Sequence, residues 1–345
     1  MMKSLILILV SGCAFAVTSF AQNTADAVEY MQQISAHFDN IAHNTMSYTS
    51  AASHGKSARK IEKRRAELIS SVTLAEAEVR KLKPFNGDRS YRDSVVSYLR
   101  ISKHVLNEDY DKILNLEEIA EQSYDAMEAY LLAKEKADEK LEQAFDVVKE
   151  QQQAFALRNN IKLIEGQSKL GAKLEKASAV YNYYNRVYLL FFKSYKDEAY
   201  YLDAQNREDV NAMEQTRQAL QTSAKEGLAK LASLTHYKGD NSLKQACLQM
   251  LNFYQSEAAN IGVEMNSFIV KKADFEKIKA AFDAKRPNER TKEDINAYNK
   301  AVNDFNASIA RYNGVTNDLN KKRSALLNQW NSASKGFLDQ HVPRY

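Results

Sequence analysis

Apolar residues recur at three- and four-residue spacing almost without interruption from residue 24 to residue 338, the period of helices that bury one stripe. Because the pattern hardly pauses, the rare breakers mark the boundaries: His54-Gly55, Pro84-Phe85-Asn86-Gly87, Asn107-Glu108, Gly166 to Gly171, Asn206-Arg207, His236 to Asp240 and Arg286-Pro287-Asn288. They predict helices near 24–53, 57–83, 89–107, 110–165, 172–206, 208–235, 241–284 and 291–338. An unbroken fourth helix would run for about 85 Å at about 1.5 Å per residue. The expected fold is therefore all-α, an elongated tandem antiparallel helical bundle with long helices.

The pattern also repeats itself. Sliding the sequence by 152 positions aligns Phe85-Asn86-Gly87-Asp88-Arg89-Ser90 with Tyr237-Lys238-Gly239-Asp240-Asn241-Ser242. Without a gap, 14 identities fall between residues 27 and 99, among them Glu62/Glu214, Arg65/Arg217, Leu68/Leu220, Ser71/Ser223 and Leu99/Leu251; about 4 or 5 would arise by chance at average composition. This predicts an internally duplicated chain: a signal peptide at 1–21, a first helical repeat unit at 22–170 and a second at 171–345. The shared corner has a physical reading. Gly87 and Gly239 tolerate the left-handed backbone that ends a helix, Asp88 and Asp240 can accept hydrogen bonds from the next helix's first amides, and Ser90 and Ser242 open capping-box patterns.

Composition agrees with helices. The 345 residues include only 10 Gly and 3 Pro, which excludes a strand-rich fold, and a mean hydropathy of -0.53 with 27% charged residues excludes a multi-span membrane protein. Residues 1–21 read as a secretory signal, with Lys3 at the positive start, Leu5 to Val10 and Ala14 to Val17 as the apolar stretch and Ser19-Phe20-Ala21 as the cleavage site. The alternative is Val10-Ser11-Gly12-Cys13 as a lipobox, with Cys13 lipidated. Cleavage after Ala21 leaves a net charge of +3, which predicts no nucleic-acid partner. It also leaves Cys247 as the single cysteine, without an internal disulfide partner and expected to be a small buried apolar residue.

Chemistry-bearing constellations are missing. None of the six histidines sits in an H-E-x-x-H frame or three residues after a glutamate, and no Walker A, G-x-S-x-G or G-x-G-x-x-G string occurs. The sequence accordingly offers no catalytic, cofactor-binding or metal-binding residue, and the chain is expected not to be an enzyme. Three surface features remain. Glu108 to Glu150 holds 14 acidic and 5 basic residues, and Glu117, Glu118, Glu121, Asp125 and Glu128 share one helix face. That face is a possible partner surface, and a metal-dependent enzyme built on it is the least favoured reading. Tyr181, Tyr184, Tyr188, Phe191 and Tyr195 form an aromatic stripe suited to a core edge or to sugars and proteins. Asn296, Asn299, Asn303, Asn306, Asn313, Asn317 and Asn320 flank a coiled-coil-like seam of Tyr298, Val302, Phe305, Ile309, Tyr312 and Leu319.

The run Asn107-Glu108-Asp109-Tyr110-Asp111-Lys112-Ile113, followed by Glu117-Glu118-Ile119-Ala120-Glu121-Gln122-Ser123-Tyr124-Asp125-Ala126-Met127-Glu128-Ala129-Tyr130, resembles a bacterial family of exported, all-helical surface proteins first named from a leptospiral member. The resemblance extends to Gly87-Asp88 and the export signal. It implies exposure at the envelope and brings no catalytic or binding residue with it. The expected protein is an exported bacterial envelope or surface protein, located in the periplasm or at the cell surface. It is a non-enzymatic helical binding or structural module with an envelope-protein or glycan partner and no transmembrane helix after processing. The alternative is a lipid-anchored scaffold held through Cys13.

Overall fold

The computed structural model describes residues 22–114, 123–163 and 168–345. Among these the chain is all-α and contains no strand. Its helices are α1 (Gln22–Ser53), α2 (Ala58–Lys81), α3 (Ser90–Leu114), α4 (Tyr124–Arg158), α5 (Lys169–Asn206), α6 (Val210–Ser233), α7 (Ser242–Ser256), α8 (Gly262–Asp283) and α9 (Lys292–His341). A π turn, Glu257–Ile261, joins α7 to α8, and a 3-10 turn, Pro287–Glu289, precedes α9. No described helix is long and apolar enough to cross a membrane.

The expected boundaries need three corrections. Asn107-Glu108 is not a break, because α3 runs through it to Leu114; neither residue forbids helical backbone. The expected single helix over 110–165 is instead interrupted. Ser123 caps α4 by accepting from the Ala126 amide at 3.0 Å. The helix then stops at Arg158, where the Asn159 side chain donates to the Phe155 carbonyl at 2.8 Å and Asn160 turns left-handed at φ 55°. Finally, Gly171 lies inside α5, which Ser168 caps by accepting from the Gly171 amide at 2.9 Å.

The residues group into two compact units, one drawn from Met1–Asn185 with Lys335–Tyr345 and the other formed by Arg186–Ser334. The division falls inside α5 and again inside α9. In the first unit α1 packs on α2, α2 on α3 and α3 on α4. Met31, Ile34, Ile41, Leu68, Val72, Val95 and Leu106 are fully buried there. Tyr30, Phe85, Tyr91 and Phe155 meet ring to ring at 5.5–5.8 Å. The C-terminal residues close this unit, where Asp339 accepts from His54 at 2.9 Å and the Tyr345 amide donates to Ser50 at 3.1 Å. In the second unit α6 packs on α7 and α8, around Leu220, Leu231, Leu251, Met250 and Cys247. Phe191 stacks on Trp330 at 4.3 Å.

Each unit contains the predicted corner, and its geometry is tighter than a helix end. Helix α2 ends at Lys81, with Leu82 extended ahead of Pro84. Asn86 (φ 50°) and Gly87 (φ 84°) then form a two-residue turn of the mirror-image type, closed by mutual Phe85–Asp88 backbone bonds of 2.9 and 3.0 Å. In the second unit Lys238 (φ 49°) and Gly239 (φ 87°) turn the same way, and the Asp240 amide donates to the Tyr237 carbonyl at 2.9 Å. Asp88 accepts from the Ser90 amide at 2.9 Å and Asp240 from the Ser242 amide at 2.8 Å. Long side chains complete both corners: Arg92 donates to the Leu82 carbonyl at 2.7 Å, and Lys244 to the Leu234 carbonyl at 2.5 Å. The capping box expected at Ser242 does not form. Ser242 is the first residue of α7 rather than its cap, and Asn241 in the cap position makes no side-chain bond.

No neighbouring atom lies within 4 Å of a methyl added at Gly87 or Gly239, so substitution there tests the backbone alone. Gly87→Ala and Gly239→Ala are each expected to cost about 1–2 kcal/mol. Lys238→Asn, which installs a side chain tolerant of positive φ, is expected to stabilise by about 0.5 kcal/mol. Urea unfolding of the three variants beside the parent chain measures all these changes.

Candidate functional site

The predicted site residues are distributed as follows. Gly87, Asp88, Ser90, Gly239, Asp240 and Ser242 sit at the two corners and make the turn contacts described above. Burial disfavours the Asp88 carboxylate, but hydrogen bonds from Ser90 and Arg158 outweigh it and hold the group below its ordinary range. Ala21, Cys13, Glu117, Glu118 and Glu121 lie outside the described residues. Asp125 and Glu128 are exposed on α4, opposite buried Met127 and Tyr130, and Tyr124 donates to Glu128 at 2.8 Å. The aromatic stripe divides: Tyr181, Tyr184 and Phe191 are buried, while Tyr195 is exposed. All seven asparagines of the α9 stripe face solvent. Cys247 is fully buried, and desolvation raises its thiol pKa far above the ordinary value.

Sequence reasoning missed the most unusual group of side chains, which lies inside the second unit. Arg323 on α9 donates through Nε to Glu198 of α5 at 2.6 Å and through Nη2 to Glu257 at 2.5 Å; Nη1 donates to Asn320. The side chains of Glu198 and Glu257 are only 3% and 1% exposed, and Arg323 only 12%. Around them Tyr201 and Tyr254 are buried with hydroxyls that meet no hydrogen-bond partner, and Glu257 Oε2 is equally unpartnered. A cavity of about 20 Å³ borders Tyr201, Glu257, Met265, Leu319 and Arg323, enough for one water molecule.

Burial pushes Glu198 up to about 8, the neighbouring Glu257 charge adds to the rise, and Arg323 opposes it. Burial works against the Arg323 charge as well, but the two carboxylates outweigh it and raise its pKa. Tyr254 and Tyr201 are raised chiefly by desolvation, reinforced by the nearby carboxylates.

Glu257 opens the π turn, a local widening of the helix common at functional positions. A second ion pair braces that turn. Arg217 of α6 donates to Glu214 at 2.6 and 2.8 Å and through Nη1 to the Ala258 carbonyl at 2.9 Å. Those bonds, with Gln218 and Asn266, hold Glu214 down to about 2. Gly262 ends the turn where a Cβ would come within 2.8 Å of Arg217 Cδ, so only glycine lets the arginine pass.

A surface feature of the same unit is a groove of about 410 Å³ on the α8–α9 hairpin. Its floor is Phe268 stacked on Tyr312 at 4.2 Å, and its rims carry Lys271, Asp304 and the Glu264–Arg311 ion pair at 2.7 Å. Further along the hairpin Phe275 stacks on Phe305 at 4.5 Å and Phe282 on Tyr298 at 4.3 Å, the seam predicted for α9. Among the described residues no group of three or more His, Cys, Asp and Glu side chains is arranged to hold a metal ion.

Comparison with known proteins leaves the site to be read on its own chemistry. No protein-family model matches the chain, nor does any curated protein or solved structure.

The buried ion cluster makes stability depend on pH in a defined direction. Glu198 binds its proton more tightly in the folded chain than in the unfolded one, whose carboxylates titrate near about 4.3. Its contribution is therefore fully present below that pH and is lost as pH rises through the raised folded value. Arg323→Met leaves the buried acid pair without its guanidinium and is expected to cost about 3–5 kcal/mol at neutral pH. The loss grows between about pH 6 and about pH 9, as Glu198 gives up its proton through its raised folded value and the guanidinium is needed more. Denaturant melts of parent and variant across that pH range measure both effects.

Proposed function

We propose that this chain is an exported bacterial envelope protein, a non-enzymatic helical binding module that takes an envelope protein or glycan partner on the α8–α9 groove. The observation that carries the reading is the groove itself. A floor of stacked Phe268 and Tyr312 offers apolar ring faces, and both signs of charge stand on its rims within one open surface of about 410 Å³. Aromatic faces rimmed by charge suit a sugar ring or a peptide side chain. Export rests on the signal pattern of residues 1–21 and on the resemblance to exported surface proteins.

The two halves are read as copies of one ancestral helical unit. Support comes from the 152-residue offset of the corners and of a second paired feature. Arg65 is held by Glu62 and donates to the Leu106 carbonyl at 3.2 Å, as Arg217 is held by Glu214 and donates to Ala258. In this reading the second copy has acquired the binding hairpin, and the first supplies a scaffold.

Two measurements test the proposal. Mass spectrometry of protein recovered from cells is expected to find an amino terminus at Gln22; an uncut Met1 overturns export, and a lipidated Cys13 replaces a free exported protein with an anchored one. A photoreactive residue in place of exposed Lys271 is expected to give envelope adducts that Phe268→Ala with Tyr312→Ala reduces about tenfold, a loss of roughly 1.4 kcal/mol in binding. Identical adducts from a probe at Lys140 on α4 overturn the groove assignment.

A further inference from the structure

The ionisable cluster of the second unit has no counterpart 152 positions earlier. Glu198, Tyr201, Tyr254 and Glu257 correspond by offset to Met46, Thr49, Ser102 and Val105, and all eight are buried. Four uncharged side chains suffice in one unit, whereas the other buries two acids and two phenols. Burying ions costs several kcal/mol each unless they are matched by charge and hydrogen bonds. With both acids ionised, the pair carries one negative charge more than Arg323 neutralises. Glu257 Oε2 would also remain a buried acceptor without a donor. A single proton on the pair removes the excess charge and supplies that donor.

Among the described residues the neighbouring cations have other partners. From α5 the pair is faced by Tyr201, from α7 by Tyr254 and from α9 by Arg323, while Tyr195 and Tyr312 lie behind the two tyrosines. On α6, Arg217 is engaged by Glu214. Lys196 and Lys322 lie over the Tyr200 and Phe253 rings. The backbone that carries Glu257 is also the one irregular turn of the continuous run from Ser242 to Asp283. A charge imbalance there acts on the segment whose helical hydrogen bonding is already perturbed.

We propose that Glu198 and Glu257 form a proton-binding site that controls the π turn: with one shared proton Glu257–Ile261 stays docked on Arg323, and loss of that proton opens the turn toward water. The cavity beside Glu257 provides a first site for the entering water. The position of Glu198's titration, raised by burial and by Glu257, agrees with a proton retained at neutral pH. The device is independent of what occupies the α8–α9 groove.

The test uses the full chain with carbon-13 in the glutamate carboxyls, together with amide hydrogen exchange normalised for the intrinsic pH dependence of the chemistry. One glutamate is expected to titrate above about pH 7, far from the ordinary glutamate value. Normalised exchange across residues 257–265 is expected to rise about tenfold between about pH 6 and about pH 9, while Leu220 to Leu231 in α6 stays protected. Glu198→Gln, which keeps the shape and cannot ionise, is expected to abolish both changes. A second variant, Glu198→Met with Glu257→Val, places the first unit's residues at both positions and is expected to exchange independently of pH. The proposal is overturned if every glutamate of the parent chain titrates below about pH 6, or if exchange in Glu198→Gln rises as it does in the parent. Should either variant fail to fold, the parent's carboxyl titration decides alone.

Discussion

Long helices bury their apolar stripes only if the chain turns back on itself with the stripes aligned, and both units rely on a two-residue left-handed turn for this. The turn demands two consecutive positive φ angles, which glycine meets freely and other residues meet at a cost. Everything adjacent is arranged to hold it. Pro84 keeps Lys83 out of the helical region, Asp88 takes the first amide of α3, and Arg92 reaches back to the Leu82 carbonyl. In the first unit Phe85 anchors the corner among Tyr30 and Phe155. The corner thus sets the pairing of α2 with α3, and that pairing determines which residues become core.

The same backbone plan accommodates two kinds of interior. Where the first unit places Met46 and Val105, the second places Glu198 and Glu257, and the cost of desolvating those carboxylates is met by Arg323 at 2.6 and 2.5 Å. An apolar core of similar shape would be at least as stable. The charged arrangement is therefore not explained by stability. What it adds is sensitivity, since a buried acid pair responds to proton concentration as a methionine and a valine cannot. The division between a fixed first unit and a responsive second one follows from four positions.

The corners were legible because their chemistry is local. A glycine followed by an aspartate, recurring at one offset, specifies a turn and the amide acceptor behind it without any knowledge of the rest of the fold. The α9 seam was legible for a similar reason, since Phe305, Tyr298 and Tyr312 keep helical spacing and find their partners on the preceding helix. The Glu198–Glu257–Arg323 cluster was not. Its members stand 59 and 66 residues apart on three separate segments, and each resembles a surface charge when viewed along its own helix. The signal that could have revealed them was the 152-residue offset, which places Glu198 and Glu257 opposite apolar Met46 and Val105. The interruption of the long helix before α4 was missed because its marker, Ser123, is a single residue within an acidic stretch that otherwise favours helix.

The π turn is braced by a contact that also occurs, at the same sequence offset, against the regular helix α3. A π turn displaces the usual i to i+4 bonding and leaves a carbonyl in need of a donor. Arg65 donates to Leu106 in a plain α-helix, so that contact is supplementary there. At the same offset Arg217 donates to Ala258 inside the π turn, so the contact there ties the irregular backbone to α6. Glu214 holds the guanidinium flat for this purpose, and Gly262 leaves room for it to cross. With its backbone secured in this way, the turn can rotate Glu257 into the interior and toward Arg323. The brace thereby converts a helical defect into a defined position for a buried acid.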